Sequence, residues 1–139
     1  MNTKKRAQIL HLEDNPQWIR EVQLALGEDY EVHAVTSLRE AAEAFRDTGF
    51  DLVIVDIDLV SGVGKDEEGF RLIDGLQQAE ILPGNRVIVL SAFAHLEERT
   101  RRAFRDYGVW DVIPKDKYNA EELKQQVADA IRTPQLFNE

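Results

Sequence analysis

The chain predicts an α/β fold: a parallel β-sheet with helices packed on both faces. Three observations lead there. Short branched apolar runs alternate five times with amphipathic stretches along 139 residues, the pattern made by right-handed strand–helix–strand crossovers. The run Leu52-Val53-Ile54-Val55 shows no polar alternation, as fits a strand buried on both faces. Several runs also end on polar residues, at the strand ends where parallel sheets collect ligands.

Residues 7–12 read as the first strand and run straight into Glu13-Asp14. Asn15 is the expected N-cap of a helix and Pro16 its first residue. Trp18, Val22, Ala25 and Leu26 share one face of that helix, and Gly27 stops it. Residues 30–35 form a second strand. Ser37 and Glu40 have capping-box spacing ahead of the stripe Leu38, Ala41, Ala42 and Phe45. Gly49 closes this helix, and residues 52–56 are the third strand.

Residues 57–68, with Gly62, Gly64 and Lys65, predict a long loop. A helix over about residues 69–79 follows, with Phe70, Ile73 and Leu76 inward. Pro83-Gly84-Asn85 is a turn, and residues 87–90 are a fourth strand that delivers Ser91. Residues 96–107 predict a highly charged helix with a thin stripe of Leu96, Ala103, Phe104 and Tyr107. Gly108 ends it, and residues 109–113 make a fifth strand reaching Pro114-Lys115. Asn119, with Glu122 three residues on, caps a last helix carrying Leu123, Val127, Ala130 and Ile131, and Thr133-Pro134 ends it. One domain therefore fills residues 1–139, with a core of about 7–132 and a short tail over 133–139.

Composition narrows the function. A formal net charge of -9 disfavours direct binding to nucleic acid. With no cysteine, a disulfide scaffold, a thiolate metal site and a cysteine nucleophile are excluded. No apolar run is long enough for a membrane helix. The basic start Met1 to Arg6 is not followed by an apolar signal core, so a cytoplasmic location is expected.

Four strands bring their last residues to one edge: Glu13-Asp14, Asp56, Ser91 and Lys115. Carboxylates gathered there repel and need a cation to remain ionised together. Oxygen ligands without cysteine point to a hard ion, and Mg2+ fits best. A metal beside Asp56 would bring a phosphoryl donor to a carboxylate nucleophile. Lys115 and Ser91 would then serve the transferred oxygens. Taken singly, each residue has a plainer reading as turn former, cap or surface charge, but the plain reading needs four independent coincidences on one edge. His11 is expected to be packed and hydrogen-bonded within its strand, and Trp18 to be core. His33 and His95 have no ligand-spaced partners.

The motifs ILHLEDNP, DLVIVDIDL, VIVLSAF and WDVIPK, in this order and spacing, resemble the receiver domain of bacterial two-component response regulators over essentially the whole chain. That resemblance implies a flavodoxin-like (βα)5 fold of strand order 2-1-3-4-5. It implies Asp56 as phosphoacceptor, Ser91 as switch hydroxyl and Lys115 as the ion-pairing lysine. Asp14 and Asp56 would bind Mg2+ through side chains, Asp58 through its backbone carbonyl and Glu13 through water. The implied partners are a histidine kinase or phosphotransfer protein and an unnamed downstream protein, with homodimerisation open. Three departures stand out: Val112 where the family usually has an aromatic residue, Asp116 where it often has proline, and the long loop after Asp56. Two other readings remain. Asp56 and Asp58 in DIDLV also fit the Asp-x-Asp-x-Val signature of haloacid-dehalogenase-type phosphatases, and a degenerate receiver could act as an unphosphorylated binding module.

Overall fold

The structure is a computed structural model that describes residues 6–57, 65–92 and 101–137, with side chains from residue 69 onward in the second stretch. Five parallel strands, β1 (Gln8–Leu12), β2 (Glu31–Val35), β3 (Leu52–Asp56), β4 (Val87–Ser91) and β5 (Asp111–Pro114), form one sheet. Their order is β2-β1-β3-β4-β5, the flavodoxin-like arrangement. Ile9 pairs with Leu52, Val53 with Val87 and Ser91 with Pro114. This register ends β1, β3, β4 and β5 at one edge.

Side-chain alternation divides the core in two. Leu10, Val53, Val55, Val87 and Val89 pack against α2 (Leu38–Asp47) and α3 (Lys65–Gln78). Ile9, Leu52, Ile54, Ile88, Leu90 and Ile113 pack against α1 (Pro16–Leu26) and α5 (Ala120–Arg132). Leu52 to Val55 are fully buried, as expected for a strand covered on both faces.

The helix starts follow local chemistry. Asn15 accepts from the Gln17 amide ahead of Pro16, Ser37 from Glu40 and Asn119 from Glu122, each satisfying a donor with no partner inside its helix. Glu40 reaches back to the amide and hydroxyl of Thr36, one residue beyond the simple capping box.

Several expected boundaries move. Helix α3 begins at Lys65 rather than near Gly69, so the predicted loop overran four helical residues; its glycines drew the reading too far. Ala42 is exposed, and Ala44 packs inward with Phe45. Of the charged helix expected at 96–107, residues 96–100 lie outside the described residues. Its remainder contains α4 (Arg102–Asp106), which is π-helical. The wider turn keeps Ala103 inward and Tyr107 half-buried, while Phe104 faces solvent. Gly108 then takes a positive φ of 60°, where a side chain would be strained.

The edge opposite the converging strand ends is closed by Gly84, Asn85 and Arg86, a short 3-10 turn before β4. A Cβ on Gly84 would lie 1.8 Å from the Tyr107 carbonyl oxygen, so only glycine fits this close approach. The buried Arg86 guanidinium donates to the carbonyls of Asp51, Ile131 and Thr133 at 3.0, 3.1 and 3.0 Å. The Asn85 side chain holds the tail by donating to Pro134 O and accepting from Leu136 N. Arg86 thus ties the start of β3 to the end of α5. Arg86→Ala should lower the unfolding free energy by about 2–4 kcal/mol, because charge-assisted bonds are lost from a buried site. Urea denaturation would measure this, with Asn85→Ala expected to cost much less because its contacts are exposed.

Candidate functional site

The site lies where β1, β3 and β5 end. Glu13 continues β1, its amide donating to Val35 O at 2.9 Å. Its buried carboxylate accepts from the amides of Asp14 and Asn15 through Oε2, at 3.0 and 3.1 Å. The other oxygen, Oε1, lies 2.9 Å from Lys115 Nζ. The same ammonium is 3.0 Å from Asp56 Oδ1, and the side chains of Lys115 and Asp56 are only 7% and 11% exposed. Lys115 therefore leans from the end of β5 across the end of β4 to join β3 and β1.

Glu13, Asp14 and Asp56 each bring a carboxylate oxygen within 4.8 Å of the others. Three carboxylates against one ammonium leave two negative charges in a partly water-excluded space. That donor set, all oxygen and doubly negative, suits a hard divalent cation. Asp14 is the exposed member, open to an arriving ion or donor.

Ser91 is buried at the end of β4, and its hydroxyl donates to Ile57 O at 2.9 Å, just past Asp56. Ala92, the small residue after it, is exposed. Of the residues expected here from sequence, Glu13, Asp14, Asp56 and Lys115 come together and Ser91 borders them. Asp58 lies outside the described residues. Val112 is half-buried against the α2–α3 cluster, on the sheet face away from α1 and α5.

Two expectations about aromatic and ring side chains change. Trp18 is only half-buried and does not join Val22 and Leu26 in the core. Its ring lies 5.1 Å from Lys115 Nζ and makes an edge contact with Tyr118, centroids also 5.1 Å apart. No local pattern in the sequence announces these contacts, because α1 and the residues after β5 meet only through the fold.

His11 is packed as expected, but neither ring nitrogen has a hydrogen-bond partner among the described residues. Its strand neighbours Ala34 and Ile54 offer only apolar side chains. Burial, and secondarily the Lys115 charge, lower its pKa from 6.5 to about 3.

The sequence profile of the response regulator receiver domain matches residues 9–128. The chain belongs to the response regulator receiver domain family. The receiver domain fold is shared with solved structures at low identity. The N-terminal signal receiver domain of a two-component response regulator from Bacteroides fragilis is 19% identical with a TM-score of 0.74, covering 94% of this chain and 100% of that one. The chemotaxis response regulator CheY4 of Vibrio cholerae is 19% identical with a TM-score of 0.70, covering 91% and 99%. A CheY-like receiver domain protein from Methanospirillum hungatei JF-1 is 22% identical with a TM-score of 0.73, covering 91% and 94%. No curated protein matches the sequence. The acidic group Glu13, Asp14 and Asp56 fits the phosphoacceptor site of a receiver domain. Among the described residues, no helix is long and apolar enough to cross a membrane.

The His11 geometry carries a pH prediction. Folded His11 stays neutral down to about pH 3, whereas the unfolded side chain protonates below about 6.5. The unfolded state therefore binds the extra proton between these values, and stability falls as pH falls through that window. The slope is about 1.4 kcal/mol per pH unit, so moving from about pH 7 to about pH 5 should cost about 2 kcal/mol through this residue alone. His11→Phe should flatten that part of the profile in urea titrations, and an unchanged slope would contradict the assignment.

Proposed function

We propose that this receiver domain takes a phosphoryl group onto Asp56 from the phosphohistidine of a histidine kinase or phosphotransfer protein. The observation that supports the reading most is the Lys115 ammonium held between Glu13 and Asp56 within the carboxylate cluster. A carboxylate buried at a strand end beside two other acids and a lysine is a costly arrangement for stability alone. Phosphoryl transfer uses each part of it.

The side chains of Asp14 and Asp56 would hold Mg2+, with Glu13 acting through water and the Asp58 backbone carbonyl as a further ligand. Bound there, the ion would offset the carboxylate charge against that of the incoming phosphate. An Asp56 oxygen attacks phosphorus, the O–P bond forming as the donor's P–N bond breaks, and the imidazole leaves with its nitrogen protonated. Lys115 swings from the Asp56 carboxylate to a phosphoryl oxygen, where it offsets the added charge. Ser91 gives up its bond to Ile57 O and donates to another phosphoryl oxygen. The exchange at Ser91 frees the Ile57 carbonyl and so changes the surface that a downstream protein reads. In this reading the chain is a cytoplasmic phosphoacceptor, catalysing only its own phosphorylation and dephosphorylation.

Incubation with Mg2+ and acetyl phosphate should add one phosphate to the intact chain, seen as a single mass increment. Asp56→Asn should fold as the parent does and take none. A phosphate on the Asn variant would transfer the role to another side chain.

The metal assignment has its own test. Asp14→Ala should weaken Mg2+ binding by about tenfold or more, since it removes a direct oxygen ligand, while Glu13→Gln should weaken it less. Isothermal titration of Mg2+ into the three proteins would give the order. Equal affinities throughout would remove Asp14 from the metal site.

A further inference from the structure

We propose that Trp18 is the positioning residue for Lys115. This inference rests on the phosphoacceptor reading above and assigns a role to a side chain outside the acidic cluster. Lys115 ends β5 and opens a 3-10 turn over Lys115–Lys117, with Tyr118 next. Positions three apart lie on one side of such a turn, so Lys115 and Tyr118 both face α1. Trp18 meets them from the first turn of α1, fixed by the Asn15 cap and Pro16. Its ring is 5.1 Å from the Lys115 ammonium, inside cation–π range. Tyr118 meets the indole at 88°, and its hydroxyl lies 3.4 Å from Glu21 O on α1. The pair forms a half-buried aromatic wall beside a lysine that is 7% exposed.

The wall answers a problem the chemistry creates. At rest, Glu13 and Asp56 hold the ammonium in place. A divalent cation arriving at the same carboxylates competes for their charge, and phosphorylation of Asp56 removes one of them as a partner. A neutral ring attracts the ammonium through its quadrupole without competing for the metal or the phosphate. Trp18 can therefore keep Lys115 over the site while its partners change. Its half-buried setting is consistent with this role, because a residue serving the core alone would have joined Val22 and Leu26.

The test compares rates of phosphorylation by acetyl phosphate with saturating Mg2+, followed by intact mass, in Trp18→Leu, Trp18→Met, Trp18→Phe and Trp18→Tyr. Because Phe and Tyr are also larger than Leu and Met, urea unfolding midpoints are measured beside the rates: in a packing role the rate falls with stability, whereas in a positioning role it follows the ring whatever the midpoint. Leu and Met should slow phosphorylation by about three- to tenfold with Mg2+ affinity unchanged, and Phe and Tyr should return it to within about twofold of the parent. Leu and Met variants at the parent rate, or a Phe variant as slow as Leu, would overturn the proposal. A second measurement holds even where a variant folds poorly. With Trp110→Phe leaving Trp18 as the one indole of two, Lys115→Met should shift or brighten its emission, and an unchanged spectrum removes the contact. A parent chain that takes no phosphate at all would overturn the phosphoacceptor reading itself, a result separate from equal rates across the Trp18 series.

Discussion

The constraint on which the functional end depends is mutual repulsion among Glu13, Asp14 and Asp56, whose oxygens lie within 4.8 Å of one another. Carboxylates so close, with Glu13 fully buried, cannot all remain charged without a compensating cation. Lys115 supplies part of that compensation, and its position has a topological consequence. In the order β2-β1-β3-β4-β5, the fifth strand touches neither the first nor the third. The lysine reaches both over the end of β4, so one side chain links β5 to two strands with which it shares no ladder. The two backbone amides on Glu13 Oε2 hold its carboxylate in the orientation this bridge requires.

Behind that edge stands β3. Four successive residues, Leu52 to Val55, are withdrawn from solvent and alternate between the two helical layers. Each large apolar side chain so buried contributes about 1.5–3 kcal/mol. The strand is therefore firmly seated, as is its neighbour β4, and Asp56 is its last residue. Placing Asp56 there gives its carboxylate a fixed backbone, while Asp14 sits exposed just past the end of β1.

Much of this was legible in the sequence because strand ends in a parallel sheet converge by topology alone. Once DLVIVD is a doubly buried strand and ILHLED its neighbour, Asp56 and Glu13-Asp14 must meet at one edge. What escaped prediction depended on side-chain direction or local geometry. Trp18 has the spacing of a core residue, yet its place in the first helical turn aims it past the core toward Lys115. His11 carries donors and acceptors that usually find partners, but among the described residues its apolar neighbours on β2 and β3 supply none. Phe104 has the right period for burial in an α-helix, and the wider π turn places it outside. The glycines before α3 suggested a loop where the chain had already begun to coil. Arg86 drew no expectation, since nothing nearby in sequence shows that three distant carbonyls converge on it.

The Asn85 and Arg86 clasp sets where the chain can be tethered. It fastens the tail as far as Leu136 beside the start of β4, whereas Asp56 lies at the finish of β3, on the opposite rim. The sheet thus stands between the two, like the thickness of a plate. Attached to a sensor surface or a fluorescent protein by that tail, the domain would present its acidic rim away from the attachment.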